Sequence, residues 1–523
     1  MNPLSVYLRM LLSCLRRQGF FYALRRGAVP PKREFEEESM TKKKNAIPEN
    51  GIYDARTLGV PKMLILGLQH MFAMFGATVL VPLLTGLDVA STLLFAGLGT
   101  LFFHLVTGGK VPAFLGSSFA FLGGYAAITG LAGTPGYETM TKTELLPYAC
   151  LGVACAGLVY LVLAALIRAV GASKVMRFFP PVVTGPIIVA IGLGLAGSAV
   201  SNCQVNWPLA LIALAIIIIF NVWGRGMAKI IPILLGVLGS CAAAAIFALT
   251  LGQTITAADG AQYIAIAGKE NMILFSTEAL QQLKDAAWIG LPITWKHTVF
   301  GGVDFSNSSL VISSIVAIMP ISLATMMEHI GDISAISSTV GKNYIKDPGL
   351  HRTLVGDGIA TTLASLFGAP ANTTYGENTG VLALSRVYDP RVIRIAAVFA
   401  AVLSFSPKFA ALIHLIPTAI IGGISFVLYG MISAIGVRNV VENQVDFTKS
   451  RNLIVAAIIL VCALGLGSVS FTIGGVGISL SALAVASIAG IVLNAILPGK
   501  DYTFDSEEKG AQAVDFQINS SEK

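Results

Sequence analysis

The chain is 523 residues long, 55% hydrophobic and only 12% charged, with a formal net charge of +7. Soluble domains carry about 25% charged residues, so this composition excludes an ordinary soluble domain and points to an integral membrane protein. With about 20 residues per crossing helix, the length accommodates about 14 spans and two polar tails.

Residues 1–60 form a predicted cytoplasmic tail. Arg9, Arg16, Arg17, Arg25 and Arg26 alternate there with Leu11, Leu12, Phe20 and Phe21, a pattern compatible with an interfacial helix. No apolar core followed by a small-residue cleavage site is present, which argues against a signal peptide. Met40 stands as an alternative start, which would make residues 1–39 dispensable. A first seven-span repeat is expected over 61–250, with spans near 62–84, 91–108, 112–129, 146–167, 179–200, 206–222 and 229–250. Residues 251–308 read as a long extracytoplasmic loop. A second seven-span repeat is expected over 309–498, with spans near 309–336, 353–368, 372–385, 392–406, 409–435, 453–468 and 474–497. Residues 499–523 are polar, mildly acidic and without apolar periodicity. They read as a disordered cytoplasmic tail holding no further domain.

Basic residues collect in alternate connections: Lys110; Arg168, Lys174 and Arg177; Arg225 and Lys229; Lys342, Lys346 and Arg352; Arg386, Arg391 and Arg394; Arg438, Lys449 and Arg451. By the positive-inside rule these connections are cytoplasmic, and an even span number puts both termini there too. The net charge therefore speaks of topology, and no nucleic-acid partner is expected. The six cysteines are scattered, with no disulfide or metal-ligand spacing.

Two motifs suggest an internal repeat. Ser117-Ser118-Phe119 in the third span and Thr373-Thr374-Tyr375 in the tenth each follow a Pro-Ala step. Pro180 to Gly185 and Pro417 to Gly422 share a proline five residues before a glycine. Both pairs lie seven spans apart, and an odd offset inverts one half against the other, as in secondary transporters. The third and tenth spans are short and broken by Pro, Gly and hydroxyl residues. Irregular backbone at membrane depth is tolerated only when it is buried or lines a cavity. Gly116 to Phe119 and Asn372 to Gly376 are accordingly expected to be extended segments facing each other.

Glu328 and Glu377 both interrupt apolar runs. An ionisable group at the bilayer centre costs at least ~2.5 kcal/mol and is by default a functional-site hypothesis. Asp332 follows Glu328 by one helical turn, so the two form a carboxylate pair able to share a proton; alternatively, Asp332 ends its helix at the cytoplasmic surface. No HExxH, metal-ligand cluster or GxSxG with triad partners is present, so no enzyme and no cofactor are expected.

The segments QHMFAMFGATVLVPLLTG (Gln69 to Gly86), GKVPAFLGSSFAF (Gly109 to Phe121), EHIGD (Glu328 to Asp332), KDPGLHR (Lys346 to Arg352) and NTTYGENTGV (Asn372 to Val381) carry a resemblance. In them the chain resembles the nucleobase–cation symporter family, which includes uracil permeases and nucleobase–ascorbate transporters, and within it the uracil-permease branch. Purine-selective relatives carry glutamine and asparagine where this chain has Glu377-Asn378. The resemblance implies an all-α polytopic fold of fourteen spans in a seven-plus-seven inverted repeat. Spans 1–4 and 8–11 would form a core domain, and spans 5–7 and 12–14 a gate domain through which the protein dimerises. It implies proton-coupled import of a free nucleobase, uracil first, across the cell membrane by alternating access. Xanthine or another purine base, and an anion exchanger of the same fold, remain as alternatives. Carried over, the substrate contacts are Glu328 and Glu377, the backbone at Phe119 and Gly376, and a lining of Ala77, Tyr375 and Tyr429. His70 and Asn378 join the hydrogen-bond network, and Glu328 with Asp332 would handle the proton. One departure stands out, since a uracil-permease pattern has histidine where this chain has Asp332.

Overall fold

The computed structural model describes residues 51–257, 260–473 and 476–499. The expectations for the N-terminal tail, including Met40, and for the tail beyond 499 lie outside the described residues. The first half runs through α1 (Val60–Thr85), α2 (Val89–Val106), a three-residue strand β1 (Leu115–Ser117), α3 (Leu122–Thr129), α4 (Lys142–Val170), α5 (Pro181–Gln204), α6 (Trp207–Trp223) and α7 (Pro232–Leu251). The helix boundaries follow from local chemistry. Gly86 closes α1 in the left-handed conformation, and the Asp88 carboxylate accepts from the Ala90 amide at 2.7 Å to open α2. Thr141 and Glu144 form a capping box on α4. Proline occupies the first turn of α5, α6 and α7, where a missing N–H costs nothing.

An insertion follows, made of antiparallel strands β2 (Gly252–Thr256), β3 (Gln262–Ile266) and β4 (Lys269–Ser276) and the helix α8 (Thr277–Asp285). The second half is α9 (Ser308–Ile318), α10 (Ser322–Val340), α11 (Leu350–Leu366), β5 (Asn372–Thr374), α12 (Gly376–Ser385), α13 (Pro390–Leu403), α14 (Pro407–His414), α15 (Thr418–Glu442) and α16 (Ser450–Gly465). A hairpin of β6 (Ser468–Ile473) and β7 (Val476–Ser481) then leads to α17 (Ala482–Ile496). Each half thus places a short strand and a short helix at its third position. Among the described residues, seven helices are long and apolar enough to cross a bilayer, and α13 with α14 forms a further pair bent by 89°.

Three expectations need correction. The fold is not all-α: the segment read as a loop over 251–308 holds a three-stranded sheet, because Gln253 to Thr256 and Gln262 to Ile266 alternate with the period of a strand. The span expected at 474–497 is helical only from Ala482, and the hairpin supplies the rest. The span expected at 409–435 is instead α15, running from Thr418 to Glu442. Residues 409–414 belong to α14, since Pro417 cannot continue that helix. The eighth span, expected at 309–336, runs over Ser308–Val340 as α9 and α10 joined by a 3-10 turn at Met319–Ile321 around Pro320.

The helices pack in two sets. α1, α2, α4, α11 and α13 contact one another, while α5 packs along α15, α6 on α7, and α16 on α17. Small residues set the close approach of α5 and α15: a Cβ on Gly192 would collide with the Tyr429 carbonyl, and Ser433 Oγ donates to the Val189 carbonyl at 3.0 Å.

Against α1, α2 and α11 of the first set, β1 and β5 pair antiparallel, with Leu115 opposite Thr374, Gly116 opposite Thr373 and Ser117 opposite Asn372. All six residues are buried. A two-stranded sheet has two open edges, which lipid cannot satisfy, and side chains from neighbouring helices fill that role. The Leu115 amide donates to Thr100 Oγ1 at 2.9 Å, and that hydroxyl donates on to the Leu115 carbonyl at 3.2 Å. Thr361 Oγ1 donates to the Asn372 carbonyl at 2.8 Å, and the Asn372 amide group donates to the Phe95 carbonyl at 3.0 Å. Only glycine fits at 116, because a Cβ there would strike the Tyr375 ring. Thr100→Val keeps the shape but strips both bonds from Leu115. It is expected to lower stability by about 1–3 kcal/mol, the cost of an unsatisfied buried group, read as the thermal midpoint of purified protein. Thr100→Ser should recover most of the loss; a wild-type midpoint for Thr100→Val would show that the strand edge needs no partner.

Candidate functional site

The strand pair ends at a cavity of about 150 Å³. β5 stops at Thr374, Tyr375 is the cap, and α12 begins at Gly376, so the free amides of its first turn and the Glu377 side chain stand at the cavity. A carboxylate suits that end of a helix. On the other strand, β1 stops at Ser117 and brings Phe119 to the same wall. α10 contributes Glu328 and Asp332 from one face, one turn apart. Thr374 Oγ1 donates to Asp332 Oδ2 at 2.9 Å, which fastens α10 to β5. Glu328 Oε2 is buried and has no partner among the described residues. From α5 and α15 come Thr184, Ile188 and Ile432, and Arg438, Asn439 and Glu442 stand at the far end.

Of the residues singled out by sequence, Glu328, Asp332, Glu377, Phe119, Tyr375 and Gly376 line this one cavity. Tyr429 and Ala77 stand behind the wall. The Tyr429 ring meets Phe119 edge-on at 5.9 Å, and Ala77 is fully buried in α1 beside Thr78. Thr78 Oγ1 donates to the Tyr375 hydroxyl at 3.3 Å, which donates to the Ser117 carbonyl at 3.0 Å. That chain locks the aromatic ring against β1. Asn378 reaches the backbone carbonyl of His70 at 3.5 Å; the buried His70 ring has no hydrogen-bond partner among the described residues. Three carboxylates therefore share one wall, and the basic side chain among the lining residues is Arg438, ion-paired with Glu442 at the mouth. Such a wall accepts hydrogen bonds from N–H groups and repels anions. Among the described residues, no cluster of His, Cys, Asp and Glu could hold a metal ion.

Sequence reasoning missed two features. The Thr374–Asp332 bond joins residues 42 positions apart. Behind Glu328, His329 Nδ1 lies 3.0 Å from Asp357 Oδ2, both side chains fully buried, and the pair joins α10 to α11. His329 carries no motif of its own. The signal that could have found the pair is the presence of two ionisable residues on neighbouring apolar helices, each needing a partner.

The profile of the Permease family matches residues 61–472. The uracil permease of Bacillus subtilis (strain 168) is 39% identical over 456 residues, covering 84% of this chain and 94% of that protein. The putative pyrimidine permease RutG of Escherichia coli (strain K12) is 37% identical over 440 residues, covering 83% and 89%. Among solved structures, the transmembrane domain of the cyanobacterial bicarbonate transporter BicA aligns with a TM-score of 0.57 at 16% identity, covering 84% of this chain and 99% of that one. SLC26A9 aligns with a TM-score of 0.54 at 12% identity, covering 85% and 66%. These two likenesses bear on the fold alone.

The buried His329–Asp357 pair yields a test. Asp357→Ala leaves the imidazole alone in an apolar site and should cost about 3–5 kcal/mol of stability. Replacing both residues, as His329→Leu with Asp357→Leu, should cost clearly less than the sum of the single changes. Thermal or denaturant unfolding of the four proteins reads this directly, and strict additivity would mean that the two side chains do not interact.

Proposed function

Because the chain belongs to the Permease family, and is therefore a multi-pass membrane transporter and not an enzyme, we propose that it imports a free nucleobase, uracil, together with protons. One observation carries this reading beyond the family: Glu328 and Glu377 meet in a single cavity with the aromatic groups Phe119 and Tyr375 and the free amides opening α12. Uracil offers an N–H between two carbonyls. Carboxylate oxygens accept from the N–H, backbone amides at Gly376 and Phe119 donate to the carbonyls, and the rings cover the flat faces. The uracil and pyrimidine permeases among the relatives support the same choice. A xanthine-type purine base is the second reading, disfavoured by Glu377 standing where purine-selective relatives carry glutamine. Anion exchange on the same fold is disfavoured by three carboxylates on one cavity wall.

The rest of the mechanism belongs to the same proposal. Fourteen spans form two inverted seven-span halves. The set holding β1, β5, α10 and α12 is the core that carries the base, and the set holding α5 and α15 is the gate, through which two copies dimerise. The core moves against the gate, so that the site faces each side in turn. With the basic loops cytoplasmic, the cavity reaching Arg438 and Glu442 faces inward. Glu328 and Asp332 share the coupling proton, so that neutralised carboxyls, not bare charges, accompany the base past the low-dielectric barrier. Proton and base then favour the same conformation, which couples their fluxes.

Uptake of radiolabelled uracil into proteoliposomes, with and without an inward proton gradient, tests this. Accumulation is expected only with the gradient, and excess unlabelled uracil should abolish it. Uridine should not compete, since its ribose has no room in a closed midplane pocket; competition equal to that of uracil contradicts the assignment. Glu328→Gln keeps shape and loses the exchangeable proton. Concentrative uptake should disappear, while binding suffers less than in Glu328→Ala. Glu377→Gln should weaken uracil binding and shift preference towards purines. Wild-type accumulation in both glutamine variants removes these residues from the mechanism.

A further inference from the structure

Glu377 borders two spaces. Besides the first cavity, a crevice of about 140 Å³ reaches it, and Glu377 is the one residue the two linings share. Gly380 and Leu384 follow Glu377 on one face of α12, at successive turns, and form one wall of the crevice. Ala73 of α1 and Pro232 of α7 form the other. At its far end stand Asn221, from the last turn of α6, and exposed Lys229, in the connection that also carries Arg225. Leu384 at that end is half exposed. The crevice therefore leads from a carboxylate in the substrate wall to the basic side of the protein, without passing the base.

We propose that this crevice is the proton's way out, so that base and proton leave the same inward-facing site by separate routes. The inference rests on the proton-coupled import proposed above. A base bound at Glu377 fills the first cavity and obstructs any proton that must leave the same way. The crevice is lined mostly by apolar side chains, with none of the paired carboxylates and strand ends that the first cavity offers a base. It has room for a file of waters, each needing only roughly 10–15 Å³ of accessible space, with polar partners at its ends in Glu377, Asn221 and Lys229. In the step itself the coupling proton first passes from the Glu328–Asp332 pair to the Glu377 carboxylate, which lines the same cavity, leaving the pair ionised; the O–H bond so formed on Glu377 then breaks. The proton passes to crevice water, and the electron pair stays on the carboxylate. The Lys229 ammonium at the mouth offsets the negative charge left behind. Glu328 and Asp332 of α10 share the first cavity with Glu377, Arg438 and Glu442 of α15 lie at its far mouth, and His70 is buried in α1. None of these five lines the crevice, so filling it leaves their surroundings alone.

Gly380 allows a clean obstruction, because a Cβ added there meets no atom within 4 Å. The full chain, wild type and carrying Gly380→Leu or Leu384→Phe, is reconstituted into liposomes containing a pH-sensitive dye. Two rates are compared. Uracil counterflow exchanges base for base and needs no proton release, whereas uracil-driven acidification of the lumen does. Both obstructing variants are expected to hold counterflow within about twofold of wild type while acidification falls by about an order of magnitude. Gly380→Ala should behave as wild type. Lys229→Gln, an exposed change that spares the fold, should slow acidification and leave counterflow intact. Wild-type acidification in the obstructing variants overturns the proposal. So does an equal loss of both rates in folded protein, which would make the crevice mere clearance for helix movement; if both obstructing variants misfold, Lys229→Gln decides alone. A wild-type protein that takes up uracil without acidification instead overturns the coupling reading itself.

Discussion

Everything at the site depends on one constraint: backbone amides and carbonyls within a membrane must find partners inside the protein. Helices meet it alone, whereas β1 and β5 are extended segments beside the cavity lined by Glu328 and Glu377. They meet it by pairing with each other and by borrowing the hydroxyls of Thr100 and Thr361 at their edges. Once the strands are satisfied, the chain can stop a helix in mid-protein and start another. That gives α12 a half-buried first turn whose amides have no partner within the helix, beside Glu377. A continuous helix would have spent those amides on its own carbonyls.

The polar groups then act as a connected structure. Tyr375 is held by Thr78 and Ser117, Asp332 by Thr374, and α10 is tied to α11 by His329 and Asp357. Glu328 keeps one buried oxygen unpartnered among the described residues. A buried acceptor such as Glu328 Oε2 beside a cavity suits a ligand that brings its own donor. Under the proposed function that donor is the base N–H, and the supporting bonds keep the acceptors where it arrives. The likeness to the bicarbonate transporter BicA and to SLC26A9 bears on the scaffold alone. The wall of this site carries three carboxylates, with a paired arginine among the lining residues.

Much of this was legible in the residues because the membrane makes rule-breaking visible. Glu328 and Glu377 stand out against apolar neighbours, and the Ser-Ser-Phe and Thr-Thr-Tyr motifs interrupt runs that would otherwise read as spans. The helix positions emerge from hydropathy, since lipid demands long apolar stretches. Other features were hidden for definite reasons. The helix break at Pro417 sits inside an apolar run, where hydropathy does not distinguish one helix from two. The strand alternation at Gln253 to Thr256 was passed over because the segment was polar enough to read as a loop. The Thr374–Asp332 and His329–Asp357 partnerships lie between helices, so no periodicity along one segment can reveal them. The crevice beside Gly380 is a property of three packed elements, and no motif marks it.

The central claim is that the base lies against the β1–β5 strand ends, between the carboxylates of α10 and α12. Anomalous diffraction from crystals grown with 5-bromouracil tests it most directly, because bromine marks the ring independently of any activity. The account predicts a single bromine peak inside the cavity lined by Phe119, Tyr375, Glu328 and Glu377, and its loss in Glu377→Ala crystals grown the same way. A peak elsewhere in the protein, or one in the cavity that survives that substitution at full height, would contradict it.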